Sequence, residues 1–121
     1  MANILVIDDS PTYIASTRNM LIRHGHTCII ANTGEEGVEA ALTHHPDLIV
    51  MDLIMPKMSG FQATRQLSKN PQTSNIPIVI ISTKDQESDK QWGLRQGAKA
   101  YLVKDVPEAE LISCIDGLLA K

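Results

Sequence analysis

The sequence predicts an α/β fold, a five-stranded parallel sheet covered on both faces by five helices. Three observations predict it. Short apolar runs alternate with longer segments that carry apolar residues at helical spacing. The runs Ile4-Leu5-Val6-Ile7, Leu48-Ile49-Val50-Met51 and Ile78-Val79-Ile80-Ile81 are apolar throughout, as strands buried on both faces are. Four runs end in polar side chains, at Asp8-Asp9, Asp52, Ser82-Thr83 and Lys104, which a parallel sheet brings to one edge.

The first strand is expected at about 3–7. Ser10 then caps a helix with Pro11 at its first position, Ile14, Thr17 and Leu21 form its buried stripe, and Gly25 ends it. A second strand follows at about 27–31. The helix near 34–44, after Thr33-Gly34, turns Val38 and Leu42 inward. Gly34 reads as a turn and Gly37 as a helix-packing position, not as a phosphate loop. The third strand, about 48–52, precedes a helix near 59–68 that stops before Asn70-Pro71. The fourth strand, about 77–82, precedes a helix at about 85–96 with Gly97 beyond it and Trp92 read as core. The fifth strand, about 99–103, leads into a helix near 107–120 with Leu111, Ile115, Leu118 and Leu119 at helical spacing. With no linker, repeat or low-complexity segment, residues 1–121 are expected to form one domain without an output domain.

Composition narrows the function. The chain is 43% hydrophobic, ordinary for a soluble domain of 121 residues. Aromatics at 3% supply no stacking platform for single-stranded nucleic acid. A net charge of -3 without a basic stretch argues against nucleic-acid partners. No apolar run approaches the roughly 20 residues that span a bilayer, and Met1-Ala2-Asn3 enters a strand at once, so no membrane insertion and a cytoplasmic location are expected. Cys28 and Cys114 stand in no metal or redox spacing and read as reduced packing residues. His24, His26, His44 and His45 lack a matching cysteine or acid cluster and read as solvated residues near helix C-termini.

The chemistry collects at the strand ends. Asp8, Asp9 and Asp52 close together repel one another and require a cation or a held proton. Helix capping accounts for one or two such acids, not for all three beside Lys104. All-oxygen ligation favours magnesium, with manganese as the alternative. With metal bound, Asp52 is a plausible nucleophile toward a phosphoryl group. Lys104 and the metal would neutralise the phosphoryl oxygens, and Ser82 would donate a hydrogen bond to one of them. No residue reads as a base for activating an alcohol or water, so turnover of a small substrate is not expected.

Asp8-Asp9-Ser10, Asp52-Leu53-Ile54-Met55-Pro56 with Gly60, Ser82-Thr83 and Lys104 together resemble the receiver domain of two-component response regulators, over the whole chain. Within the family the chain is similar to stand-alone receivers of the CheY type. Phe61-Gln62-Ala63-Thr64-Arg65-Gln66-Leu67 and Thr83-Lys84-Asp85-Gln86-Glu87-Ser88-Asp89-Lys90, with Trp92-Gly93 and Arg95-Gln96-Gly97-Ala98, resemble PilH-like regulators of type IV pilus chemosensory systems. The resemblance implies a flavodoxin-like doubly wound sheet in strand order 2-1-3-4-5. It implies that a histidine kinase phosphorylates Asp52, and that Asp9, Asp52 and the Ile54 backbone carbonyl bind magnesium with Asp8 acting through water. Ser82 would be the switch hydroxyl and Lys104 the phosphate partner. Tyr101 would be an aromatic switch on a face made by the fourth helix, fifth strand and fifth helix, where Lys90 and Leu94 also lie. The implied protein is a monomer when unphosphorylated. It is not an enzyme but a phosphoacceptor that supports its own phosphotransfer and autodephosphorylation, acting on a protein target in chemotaxis or twitching motility.

Two positions depart from the family. Asp105 follows Lys104 where proline is usual; a trans bond is expected there, with a more mobile loop and a competing partner for Lys104. Thr83 follows Ser82 where alanine or glycine is frequent, and its bulk is expected to slow dephosphorylation. Asp105 also supports an alternative, a degraded receiver that acts as a phosphorylation-independent binding module or a phosphate sink. An aspartyl-phosphate phosphohydrolase would want an acid at Ile54, and a flavodoxin's phosphate loop would not tolerate Asp8-Asp9.

Overall fold

The computed structural model describes residues 2–120. Its elements alternate: β1 (Asn3–Ile7), α1 (Pro11–Arg23), β2 (Thr27–Ala31), α2 (Gly34–His44), β3 (Leu48–Asp52), α3 (Gly60–Lys69), β4 (Ile78–Ser82), α4 (Glu87–Arg95), β5 (Ala100–Val103) and α5 (Glu108–Leu119). The strands form one sheet in the order β2-β1-β3-β4-β5, every pair parallel. This is the expected doubly wound sheet.

The all-apolar central strands split their side chains between two cores. Leu5, Ile7, Ile49, Met51, Ile78 and Ile80 point to one face and pack with Ala41 of α2 and with Ala63 and Leu67 of α3. Ile4, Val6, Leu48, Val50, Val79 and Ile81 point to the other, against Met20 and Leu21 of α1 and Leu111, Ile112 and Ile115 of α5. Alternation along each strand therefore places a helix layer on both sides. Truncating a fully buried strand residue such as Ile49 or Ile80 to Ala is expected to cost about 2–5 kcal/mol in denaturant titration.

Three expectations need correction. In α2 the buried residues are Gly34, Gly37 and Ala41; Val38 packs against the core as expected, but Leu42 is only half-buried. The small side chains let α2 approach β1 until a methyl on Gly37 would strike Ile7. α4 is shorter than expected and buries only Gly93, which lies against Ile80 and Tyr101. Trp92 is therefore 49% exposed rather than core. In α5 the expected stripe holds, with Leu111 and Ile115 buried and Leu118 and Leu119 packed against the core from its edge, and Ile112 joins it. His26 is buried, because both ring nitrogens have partners: Nδ1 faces the Ala2 amide at 3.2 Å and Nε2 faces Asp116 Oδ1 of α5 at 3.2 Å. His24 reaches Glu108 at 3.2 Å, whereas His44 and His45 are exposed. Cys28 and Cys114 are free thiols, each half-buried. No described helix is long and apolar enough to cross a membrane.

One glycine fixes the strand end that matters most. Gly60, the first residue of α3, donates its N–H to the Leu53 carbonyl at 2.9 Å. A methyl there would strike the Asp52 carbonyl oxygen and the Leu53 Cα, both backbone. Backbone cannot rotate aside as a side-chain tip can. Gly60→Ala is expected to lower stability by about 1–3 kcal/mol in denaturant titration. A variant as stable as wild type would contradict the contact.

Candidate functional site

The edge where the strands end brings together Asp8, Asp9, Asp52, Ser82 and Lys104. Asp52 is the last residue of β3, a strand flanked by β1 and β4, so its side chain emerges at the rim of the core and is buried. Asp8 follows β1, anchored by its N–H to the Ala31 carbonyl at 3.1 Å, and is also buried. Asp9 is exposed. One oxygen from each of the three carboxylates lies within 4.8 Å of the others.

Lys104, just past β5, closes the cluster. Its backbone N–H donates to the Ser82 carbonyl at 2.9 Å, continuing the β4–β5 ladder by one residue. Its Nζ lies 3.2 Å from Asp8 Oδ2 and 3.3 Å from Asp52 Oδ1. The same ammonium sits 4.3 Å from the centre of the Tyr13 ring. Asp8 Oδ1 also accepts the Ser10 N–H at 2.9 Å.

The electrostatics follow from burial. Burial first, then the neighbouring Asp8 carboxylate, pushes Asp52 up to about 6, against the pull of Lys104. For Lys104 burial acts downward, but Asp52 and Asp8 more than reverse it and its pKa is raised. Burial raises the Tyr13 phenol. Three carboxylates against one ammonium leave the site net negative when all are ionised, and every donor is a hard oxygen. That set suits a small divalent cation such as magnesium.

Ser82 is fully buried at the end of β4, and its Oγ accepts the Lys84 N–H at 3.1 Å. Ile54 exposes its side chain on the loop after β3. Thr83 is exposed. Tyr101 is half-buried and donates its hydroxyl to the Lys84 carbonyl at 2.9 Å. Lys90 and Tyr101 line one groove with Val103, Asp105, Val106 and Glu110; Leu94, one turn beyond Lys90, is exposed outside it. No described peptide bond is cis, so Lys104–Asp105 is trans, as expected. The expected competition from Asp105 is corrected: Asp105 is exposed, and the ion pairs of Lys104 are with Asp8 and Asp52.

Sequence reasoning missed Tyr13 and Lys84. Tyr13 had one signal, an aromatic three residues after the capping Ser10 in a helix that starts beside the acid pair. Lys84 meets Ser82 and Tyr101 through its backbone N–H and carbonyl, which leave no mark in the sequence.

Residues 4–116 match the response regulator receiver domain family. The protein PilH of Pseudomonas aeruginosa is 51% identical over 120 residues, 99% of each chain. A gliding motility regulatory protein of Myxococcus xanthus is 36% identical over 110 residues, 91% of this chain but 14% of that protein. The crystal structure of the Vibrio cholerae chemotaxis protein CheY4 superposes with a TM-score of 0.91 at 28% identity, covering 98% of both chains.

The raised Asp52 pKa has a sign that can be tested. The folded, metal-free protein holds the Asp52 proton more tightly than the unfolded chain, whose carboxyl has the ordinary value of 3.8. Stability is therefore lost as pH rises from 3.8 through about 6. In EDTA at pH 7.5, Asp52→Asn is expected to be more stable than wild type by about 1–3 kcal/mol, with the gap narrowing as pH falls below 6. Urea titrations at several pH values read it directly. A variant less stable than wild type at pH 7.5 would contradict the assignment.

Proposed function

The chain belongs to the receiver-domain family of response regulators, and from that premise we propose that it is a stand-alone cytoplasmic regulator phosphorylated on Asp52 by a histidine kinase. The observation that carries the proposal is the buried Asp52 carboxylate, set beside Asp8 and Asp9 and met by Lys104 Nζ at 3.3 Å. Asp8, Asp9, Asp52 and the Ile54 carbonyl would hold a magnesium ion, which supplies positive charge for the phosphoryl oxygens. An Asp52 carboxylate oxygen attacks the phosphorus of a phosphohistidine. The new P–O bond forms as the P–N bond breaks, and the imidazole nitrogen leaves with the electron pair and takes up a proton. Lys104 exchanges a carboxylate partner for a phosphoryl oxygen, and Ser82 donates its hydroxyl to another. Hydrolysis of the acyl phosphate returns the domain to rest, with the Thr83 side chain slowing the approach of water.

The signal leaves through Lys84. Its N–H is held by Ser82 Oγ and its carbonyl by the Tyr101 hydroxyl, so one residue joins the site to the α4–β5–α5 face. When the Ser82 hydroxyl turns to the phosphoryl group, the Lys84 N–H loses its acceptor and the loop shifts, which frees Tyr101. Phosphorylation thus favours one of two arrangements through contacts that exist in only one of them. A protein target reads the groove at Lys90 and Tyr101 with the exposed Leu94. The identity to PilH and the likeness to a gliding motility regulator support a role in type IV pilus chemosensing and twitching motility. Pairing of Lys104 with Asp8 and Asp52 rather than Asp105 favours this reading over a degraded, phosphorylation-independent binding module.

Incubation with acetyl phosphate and magnesium, followed by intact-mass measurement, is expected to show one phosphoryl adduct on wild type and none on Asp52→Asn. An adduct on both proteins would place the acceptor elsewhere. None on either, with a histidine kinase donor also failing, would refute the reading.

A further inference from the structure

We propose that Tyr13 is a positioning residue for Lys104, holding its ammonium against the carboxylates where it meets a phosphoryl group on Asp52. This rests on the phosphoacceptor reading above and deepens it. The residues form a closed circuit. Asp8 Oδ1 accepts the Ser10 N–H at 2.9 Å, and Ser10 Oγ accepts the Tyr13 N–H at 3.3 Å. The Tyr13 ring centre lies 4.3 Å from Lys104 Nζ, and Nζ returns to Asp8 Oδ2 at 3.2 Å. Ser10 caps α1 and Pro11 opens it, so the turn that carries Tyr13 is stiff.

Lys104 needs such a partner. A lysine side chain is long and flexible, and its ammonium is a point charge with no preferred plane. The backbone of Lys104 is held by its N–H to Ser82, and the next residue, Asp105, is exposed on a turn. If a metal drew on the Asp8 and Asp52 oxygens, the ring would remain as a partner for the ammonium that does not compete for those carboxylates. An aromatic face attracts a cation without neutralising it, so the charge stays available to the incoming phosphoryl oxygens. A carboxylate in place of Tyr13 would hold Lys104 as well, but it would compete for the charge.

The test compares Tyr13→Leu with Tyr13→Phe, which keeps the ring and removes the hydroxyl. In NMR spectra of the metal-free protein, the Lys104 Cε protons are expected to show an upfield ring-current displacement in wild type and Tyr13→Phe, absent in Tyr13→Leu. The initial rate of phosphoryl incorporation from acetyl phosphate is expected to fall about three- to tenfold in Tyr13→Leu and to stay within about twofold of wild type in Tyr13→Phe. Loss of the displacement with an unchanged rate would overturn the proposal, as would an equal slowing in Tyr13→Phe. If Tyr13→Leu does not fold, Tyr13→Phe and wild type still decide it: an undisplaced Lys104 signal in either refutes the contact. Wild type that takes up no phosphoryl group at all is a different failure. It sinks the phosphoacceptor reading, and the role proposed for Tyr13 with it.

Discussion

Three carboxylates at the carboxyl edge of one parallel sheet must be balanced by positive charge, and the arrangement around them follows from that requirement. In the protein alone the balance comes from Lys104, whose Nζ bridges Asp8 and Asp52 at 3.2 and 3.3 Å. The bridge is incomplete. Asp52 remains raised to about 6, chiefly by its burial and by Asp8. A site that a single ammonium cannot neutralise could accept a second cation, which is what the proposed function requires of it. On the proposed function, the electrostatic cost of grouping these carboxylates is stability given up for the chemistry of the site.

The rest of the molecule supports that edge. The apolar strands fill two cores and leave polar groups only at their ends, so the sheet determines where the acids stand. Gly60 brings α3 close against the backbone of Asp52. Ser10 ties Asp8 to the first turn of α1, and the Ser82 carbonyl ties Lys104 to β4. α4, by contrast, buries only Gly93 and exposes Trp92 and Leu94. Weak attachment to the core is what an element needs if it is to shift at small cost. The Lys84 backbone, held by Ser82 and Tyr101, stands between this loosely packed helix and the site.

Much of this was legible in the sequence because apolar strands and terminal acids obey simple rules. The five strands, the strand order and the convergence of Asp8, Asp9, Asp52, Ser82 and Lys104 all followed from the apolar runs, their polar ends and the family they resemble. What was not legible depends on contacts between elements. Val38 and Leu42 fit a helical stripe, and Val38 does pack against the core, but close approach of α2 to β1 gives the fully buried positions to Gly37 and Ala41. Trp92 has the most apolar surface in α4, yet a helix seated on Gly93 turns that surface outward. His26 follows a helix end where solvent is the usual surrounding, and only the distant Asp116 and the Ala2 backbone explain its burial. The ring of Tyr13 over Lys104 joins residues about ninety positions apart, which no local pattern encodes.

If Lys104 stands in for a metal, the two must compete. Calorimetric titration of magnesium at pH 8 into wild type and Lys104→Met measures that competition. Loss of the ammonium frees the Asp8 and Asp52 oxygens and removes a repelling charge, so the variant is predicted to bind magnesium several-fold more tightly, about 1 kcal/mol in free energy. Equal or weaker binding in Lys104→Met would contradict the claim that Lys104 holds the carboxylates in the cation's place.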